Sequence, residues 1–133
     1  MLHTLSRNAC RAGLLLAFAT SSLAQVPSFR MTVLEPLPGQ EHAQVIAVNE
    51  ALQLVGQSYS DNSAQSRATL WQNTVAVALA GAPDGEPNTI AAGINDAGDI
   101  VGWSDGQLPR ALLWSGSAVA DLGNLPGGDA FSR

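Results

Sequence analysis

Two stretches of this chain are written on one template. Ile94-Asn95-Asp96-Ala97-Gly98-Asp99-Ile100-Val101-Gly102-Trp103-Ser104 follows Val48-Asn49-Glu50-Ala51-Leu52-Gln53-Leu54-Val55-Gly56-Gln57-Ser58 at an interval of 46 residues. Asn, Ala, Val, Gly and Ser keep their places between the two. Each copy is a short apolar run, a polar turn and a second apolar run closing on Gly-x-Ser. Self-similarity at such a period is the mark of an array of supersecondary units, each burying one face on its neighbour.

The match continues downstream. Arg67-Ala68-Thr69-Leu70-Trp71 is echoed by Arg110-Ala111-Leu112-Leu113-Trp114, now at an interval of 43, and Leu79 and Pro83 by Leu122 and Pro126 at the same interval. Leu34 and Pro38 precede Leu79 and Pro83 by 45. The three residues lost between the two matches fall in the loop between Ser58 and Arg67, where a surface connection tolerates deletion. Residues 29–43 therefore read as part of one repeat, 44–89 as a second and 90–133 as a third.

Within a unit the apolar runs are short, rich in Val, Ile and Leu, and separated by Gly, Asn, Asp and Pro. No helical periodicity interrupts them after the first 25 residues, so they read as strands. The first cycle supplies 44–49, 54–60, 67–71 and 75–80, and the second 90–95, 100–105, 110–115 and 118–125. Short turns make the strands antiparallel. The expected fold is all-β, in tandem four-stranded antiparallel units of about 45 residues, the size of a propeller blade. Phe29-Arg30-Met31-Thr32-Val33, before Pro36, alternates apolar and polar residues and reads as a further strand with one polar face.

The first 24 residues read as an export signal. Arg7 and Arg11 supply a charged start, 13–19 an apolar run and Ser22-Leu23-Ala24 a small-x-small cleavage pattern. The apolar run is shorter than the about 20 residues of a spanning helix, so no membrane span is expected after cleavage. Gln25 rather than Cys follows the cut, which argues against a lipid anchor, and cleavage removes Cys10, the single cysteine. The β-repeat domain is then 25–133, secreted or periplasmic, with no disulfide. Six basic residues, all Arg, face 11 acidic ones for a net charge of −5, so a nucleic-acid partner is not expected.

The repeated residues suggest structural work. Asn49 and Asn95 stand at strand reversals, where an Asn side chain can bond its own backbone two residues on. Gly98 suits such a turn. Gly56 and Gly102, inside strands, mark a bulge or a close backbone approach, and close packing of unit on unit is the expected cause. Trp71 and Trp114 are expected to bury apolar area between units. Trp103 faces Gln57 in the template, so it is half exposed and is the candidate ligand-facing aromatic. Asn95, Asp96 and Asp99 also resemble the start of a calcium loop, although no closing acid follows. His42 has no repeated partner, and neither a zinc set nor a catalytic triad can be assembled. No cofactor and no catalytic residue is expected.

These residues resemble the bacterial extracellular repeats of the HAF family. Its pattern runs roughly Ala-x-x-Ile-Asn-x-x-Gly-x-Ile-Val-Gly-x-Ser, then His-Ala-Phe-Leu-Trp, then Asp-Leu-Gly-x-Leu-x-Gly-Gly. Ile94-Asn95, Gly98, Ile100-Val101-Gly102 and Ser104 match the first part, Ala111, Leu113 and Trp114 the second, and 121–128, ending in Gly127-Gly128, the third. Arg67 and Arg110 replace the His of the pattern, and Thr69 and Leu112 its Phe. The resemblance implies an exported, propeller-like repeat protein and brings no catalytic residue with it. The expected role is binding or structural, through an unknown extracellular partner or self-association, since so few units cannot close a ring. Two alternatives stand beside it: a fragment or subunit of a propeller-type glycosidase or lyase, and a calcium-stabilised adhesin.

Overall fold

Eight short strands account for all the regular structure in the computed structural model, which describes residues 24–123. The chain divides into two units, 1–30 and 31–133. The described part of the first, 24–30, carries no strand or helix. The export signal, Gly127 and Gly128 lie outside the described residues.

The second unit holds β1 (His42–Val48), β2 (Leu54–Ser60), β3 (Ser63–Gln72), β4 (Val75–Ala78), β5 (Thr89–Ile94), β6 (Ile100–Ser104), β7 (Arg110–Ser115) and β8 (Ala118–Asp121). They form two antiparallel four-stranded sheets, ordered β1-β2-β3-β4 and β5-β6-β7-β8. The turns explain the hand-over from strand to strand. Between β3 and β4, Asn73 and Thr74 both take positive φ, the two-residue geometry whose twist suits a hairpin. Among the described residues there is no helix, so none is long and apolar enough to cross a membrane.

The strand expected over 29–37 is absent. Met31 and Val33 are exposed, and no neighbouring strand pairs with the segment. Alternation alone does not make a strand when the backbone has nothing to bond to. Residues 35–37 instead lie irregularly over the first sheet: Trp71 donates its indole N–H to the Glu35 carbonyl at 2.8 Å, and the Leu37 N–H reaches Ser58 Oγ at 3.2 Å. The connector between the sheets repeats the device, with Trp114 donating to the Ala80 carbonyl at 2.8 Å. Leu37 and Ala82 are both buried, and each opens a tight turn closed by an N–H to its carbonyl, from Gln40 and Gly85 respectively.

The core lies between the sheets. Cross-strand partners share a face, so Ala47, Val55 and Leu70 line one side of the first sheet, and Ile94, Ile100 and Trp114 one side of the second. These groups join Ala68, Ala91 and Leu112 in one buried cluster, and β5 runs against β1, β2 and β3. Four polar bonds pin the seam. Asn49 Nδ2 donates to the Asn95 carbonyl (3.1 Å), the Glu50 N–H to Asp96 Oδ1 (2.9 Å), the Ala68 N–H to Thr89 Oγ1 (3.0 Å) and the Ser66 N–H to Asn88 Oδ1 (3.0 Å).

Candidate functional site

The polar turns after β1 and β5 have the same wiring. In the first, Asn49 Oδ1 accepts the Gln53 N–H at 2.9 Å, while the Leu52 N–H closes on the Asn49 carbonyl at 3.1 Å. In the second, Asn95 Oδ1 accepts the Asp99 N–H at 2.8 Å and the Gly98 N–H closes on the Asn95 carbonyl at 3.1 Å. The side-chain bond spans four residues rather than two, so Asn clamps the whole loop instead of one corner of it. Nor does either Asn take positive φ: that conformation falls on Leu52 (58°) and Gly98 (86°), three positions on.

Gly56 and Gly102 are required within each sheet, not between sheets. The pairing of β1 with β2 slips between Val45 and Ala47, and that of β5 with β6 between Ala91 and Gly93. At each bulge a backbone carbonyl leans across the neighbouring strand. A Cβ on Gly56 would collide with the Gln44 oxygen, and one on Gly102 with the Ile90 oxygen. The expected unit-on-unit packing is thus replaced by a bulge, a backbone approach that only glycine admits.

Trp71 and Trp114 are buried. Each fastens the connector that precedes its own sheet, in addition to the apolar area it covers. Trp103 is half-buried on the side of the second sheet facing away from the first, beside its cross-strand partners Ile90 and Ala111. Gln57 at the matching place in the first sheet donates to Gln44 Oε1 at 2.7 Å.

The acids are held as hydrogen-bond acceptors. Asp99 accepts Ser115 Oγ–H at 2.7 Å and Asn95 Nδ2–H at 3.2 Å, and these bonds, the serine's first, lower its pKa. Asp121 is also lowered, chiefly by the Gly123 N–H and then by Arg110, whose guanidinium spans Asp121 and Asp84 and is itself raised. Among the described residues no group of three or more His, Cys, Asp or Glu is placed to hold a metal ion. His42 meets Asp61 at 3.2 Å and lies against the ring of Tyr59, its cross-strand partner at the end of the β1–β2 pair.

One buried group was not foreseeable. Ser58 Oγ accepts both the Leu37 N–H and the Thr69 hydroxyl, the latter at 2.9 Å, whereas Ser104 Oγ, equally buried, has no partner among the described residues. Leu112 stands where Thr69 does, and the hydroxyl that would answer Ser104 is missing. Among the described residues one open concavity is lined by Thr32, Leu34, Leu52, Leu54, Asn73 and Thr74. No convergent set of polar groups occupies it. Comparison with protein families, with curated proteins and with solved structures finds no match.

Proposed function

We propose that this chain is an exported, propeller-like β-repeat module of the HAF type, each four-stranded sheet being one unit, with a binding or structural role and no catalytic step of its own. The observation that carries the reading is the coincidence of three devices at template-matched positions. Asn49 and Asn95 clamp equivalent loops, Gly56 and Gly102 admit equivalent bulges, and Trp71 and Trp114 fasten equivalent connectors. Nothing in a single sheet demands all three at once. Two copies of one ancestral unit do.

A second copy stacked on the first is how such units hide their apolar faces. The binding surface of the module is then its uncovered flank, where Trp103 stands among apolar neighbours. Two measurements test the reading. Intact mass of exported protein should begin at Gln25, and an exported chain retaining Cys10 would overturn removal of residues 1–24. Val55→Asp, which places a charge in the seam between the sheets, should unfold the protein. A folded Val55→Asp variant would mean the sheets do not depend on one another as repeat units must.

A further inference from the structure

Among the described residues the two sheets leave two open faces, and these are the two halves of the seam already formed between them. Val55, on the side of the first sheet that grips the second, is 0% exposed, while its counterpart Val101 is 46% exposed. At the opposite end, Ala91 is 0% exposed where the second sheet meets the first, while its counterpart Val45 is 41% exposed, with Val48 beside it at 55%. The outer side of the second sheet (Val101, Trp103, Leu113) thus copies the gripping side, and the outer side of the first (Val45, Val48, Leu54) copies the gripped side. Segment 35–37 does not obstruct this, because the connector at Ala80 occupies the same place within the seam.

The polar groups tell the same story. Asn49 Nδ2 uses both hydrogens, one on Gln53 Oε1 and one on the Asn95 carbonyl across the seam. Asn95 Nδ2 spends one on Asp99 Oδ2, and the other has no partner among the described residues. Asn49 is buried and Asn95 exposed. A carbonyl arriving from a further sheet would complete the second turn as Asn95 completes the first.

We propose that this protein self-associates head to tail, the outer face of the second sheet of one molecule receiving the outer face of the first sheet of another. The inference rests on the repeat reading above. In the junction Asn95 Nδ2 donates to the Asn49 carbonyl of the second copy, and the Asp96 N–H meets the carboxylate of its Glu50. Two of the four internal pins cannot be copied: Ala43 stands where Thr89 supplies its hydroxyl, and Pro109, lacking an N–H, where Ser66 donates. The junction is therefore weaker than the internal seam and dissociates on dilution. Because the two faces differ, the contact is heterologous and builds a ring or an open filament.

Sedimentation velocity on the purified chain across a dilution series reads the assembly, with Val101→Asp blocking one face and Val45→Asp the other. Wild type should grow beyond a dimer with concentration. Each variant alone should stay monomeric, its association weakened at least tenfold, with an unchanged urea midpoint. Mixed in equal amounts, the two should form a 1:1 dimer and stop there, because each retains the face the other has lost. Val101→Lys and Val48→Glu repeat the experiment should either aspartate variant fail to fold. A wild type that is monomeric throughout, a single variant that associates as wild type does, or a mixture that stays monomeric overturns the proposal. Val55→Asp keeps the outcomes apart: if it unfolds while the wild type remains monomeric, the repeat reading stands and head-to-tail assembly does not.

Discussion

Three glycines of the second sheet offer a graded test of what the bulge demands. A methyl at Gly102 would strike the Ile90 carbonyl and lie 3.0 Å from the Ala91 Cα, both backbone atoms of the bulged strand. Relief requires the β5–β6 pair to part. Overpacking strain of about 1–3 kcal/mol and the loss of one backbone hydrogen bond, about 1 kcal/mol, oppose the gain of about 0.4–1 kcal/mol from stiffening the unfolded chain. Gly102→Ala should therefore cost a net ~2–3 kcal/mol, or roughly 10–20 °C in a domain of about 100 residues. Gly98→Ala meets no clash, its nearest neighbour being Gln53 Oε1 at 4.0 Å, but it carries φ +86°. The left-handed conformation costs an alanine about 1–2 kcal/mol, so the net loss is ~1 kcal/mol. Gly93→Ala meets only the Val101 Cγ2 methyl at 3.3 Å, a side-chain end that can turn away, and should lie within about 0.5 kcal/mol of wild type. Urea unfolding followed by tryptophan fluorescence gives all three midpoints. A Gly102→Ala variant as stable as wild type, or one less affected than Gly93→Ala, would refute the bulge argument.

The matched serines should part company: Ser58→Ala should cost about 1–3 kcal/mol by stranding the Leu37 N–H, the Thr69 hydroxyl keeping its bond to the Arg67 carbonyl, while Ser104→Ala, which deletes an unanswered hydroxyl, should be neutral or stabilising in the same melts. Asn95→Ala should cost about 1 kcal/mol for its loop clamp and Trp114→Ala about 3–5 kcal/mol for a buried ring; equal effects in urea melts would show that the ring is not core. Asp99 and Asp121 titrate below their usual value of 3.8 when folded. Their contribution to stability is whole above that value and lost as pH falls through the lowered ones. The urea midpoint should drop below about pH 4, and the drop should shrink in Asp121→Asn; an equally steep fall in that variant would remove Asp121 as a cause.

The strands were legible because each apolar run is bounded by its own turn residues. Leu54–Ser60 is closed by Asp61-Asn62, and Arg110–Ser115 is opened by Pro109 and closed by Gly116. The third strand, expected over 67–71 after a loop, instead begins at Ser63, because Ser63 and Ser66 pair back onto β2 although no apolar run marks them. Residues 29–33 misled for the converse reason: they carry the alternation of a strand, but pairing is a property of the neighbour and not of the segment. The glycines were visible as repeated and misassigned in cause, since a register slip between Ala91 and Gly93 leaves no mark in composition. The Asn clamp could be placed at its turn, but its reach of four residues depends on the loop returning its N–H groups toward the side chain. Ser104 shows the limit most plainly. Its own residue type repeats faithfully, and only the exchange of Thr69 for Leu112, on another strand, decides that its hydroxyl goes unanswered.

The sheet orders β1-β2-β3-β4 and β5-β6-β7-β8 have a consequence for how the molecule acquires its shape. Within each sheet every strand pairs only with its neighbour along the chain, so each pairing step closes a loop of a few residues and costs little chain entropy. The first sheet is complete once residue 78 has been made, before any strand of the second exists. Closure of the seam joins residues 46 apart at Asn49 and Asn95, a far wider separation than any turn within a sheet. Pairing within a sheet is therefore cheap in chain entropy, and the larger loop-closure cost falls on the seam, whose burial each sheet needs in order to persist.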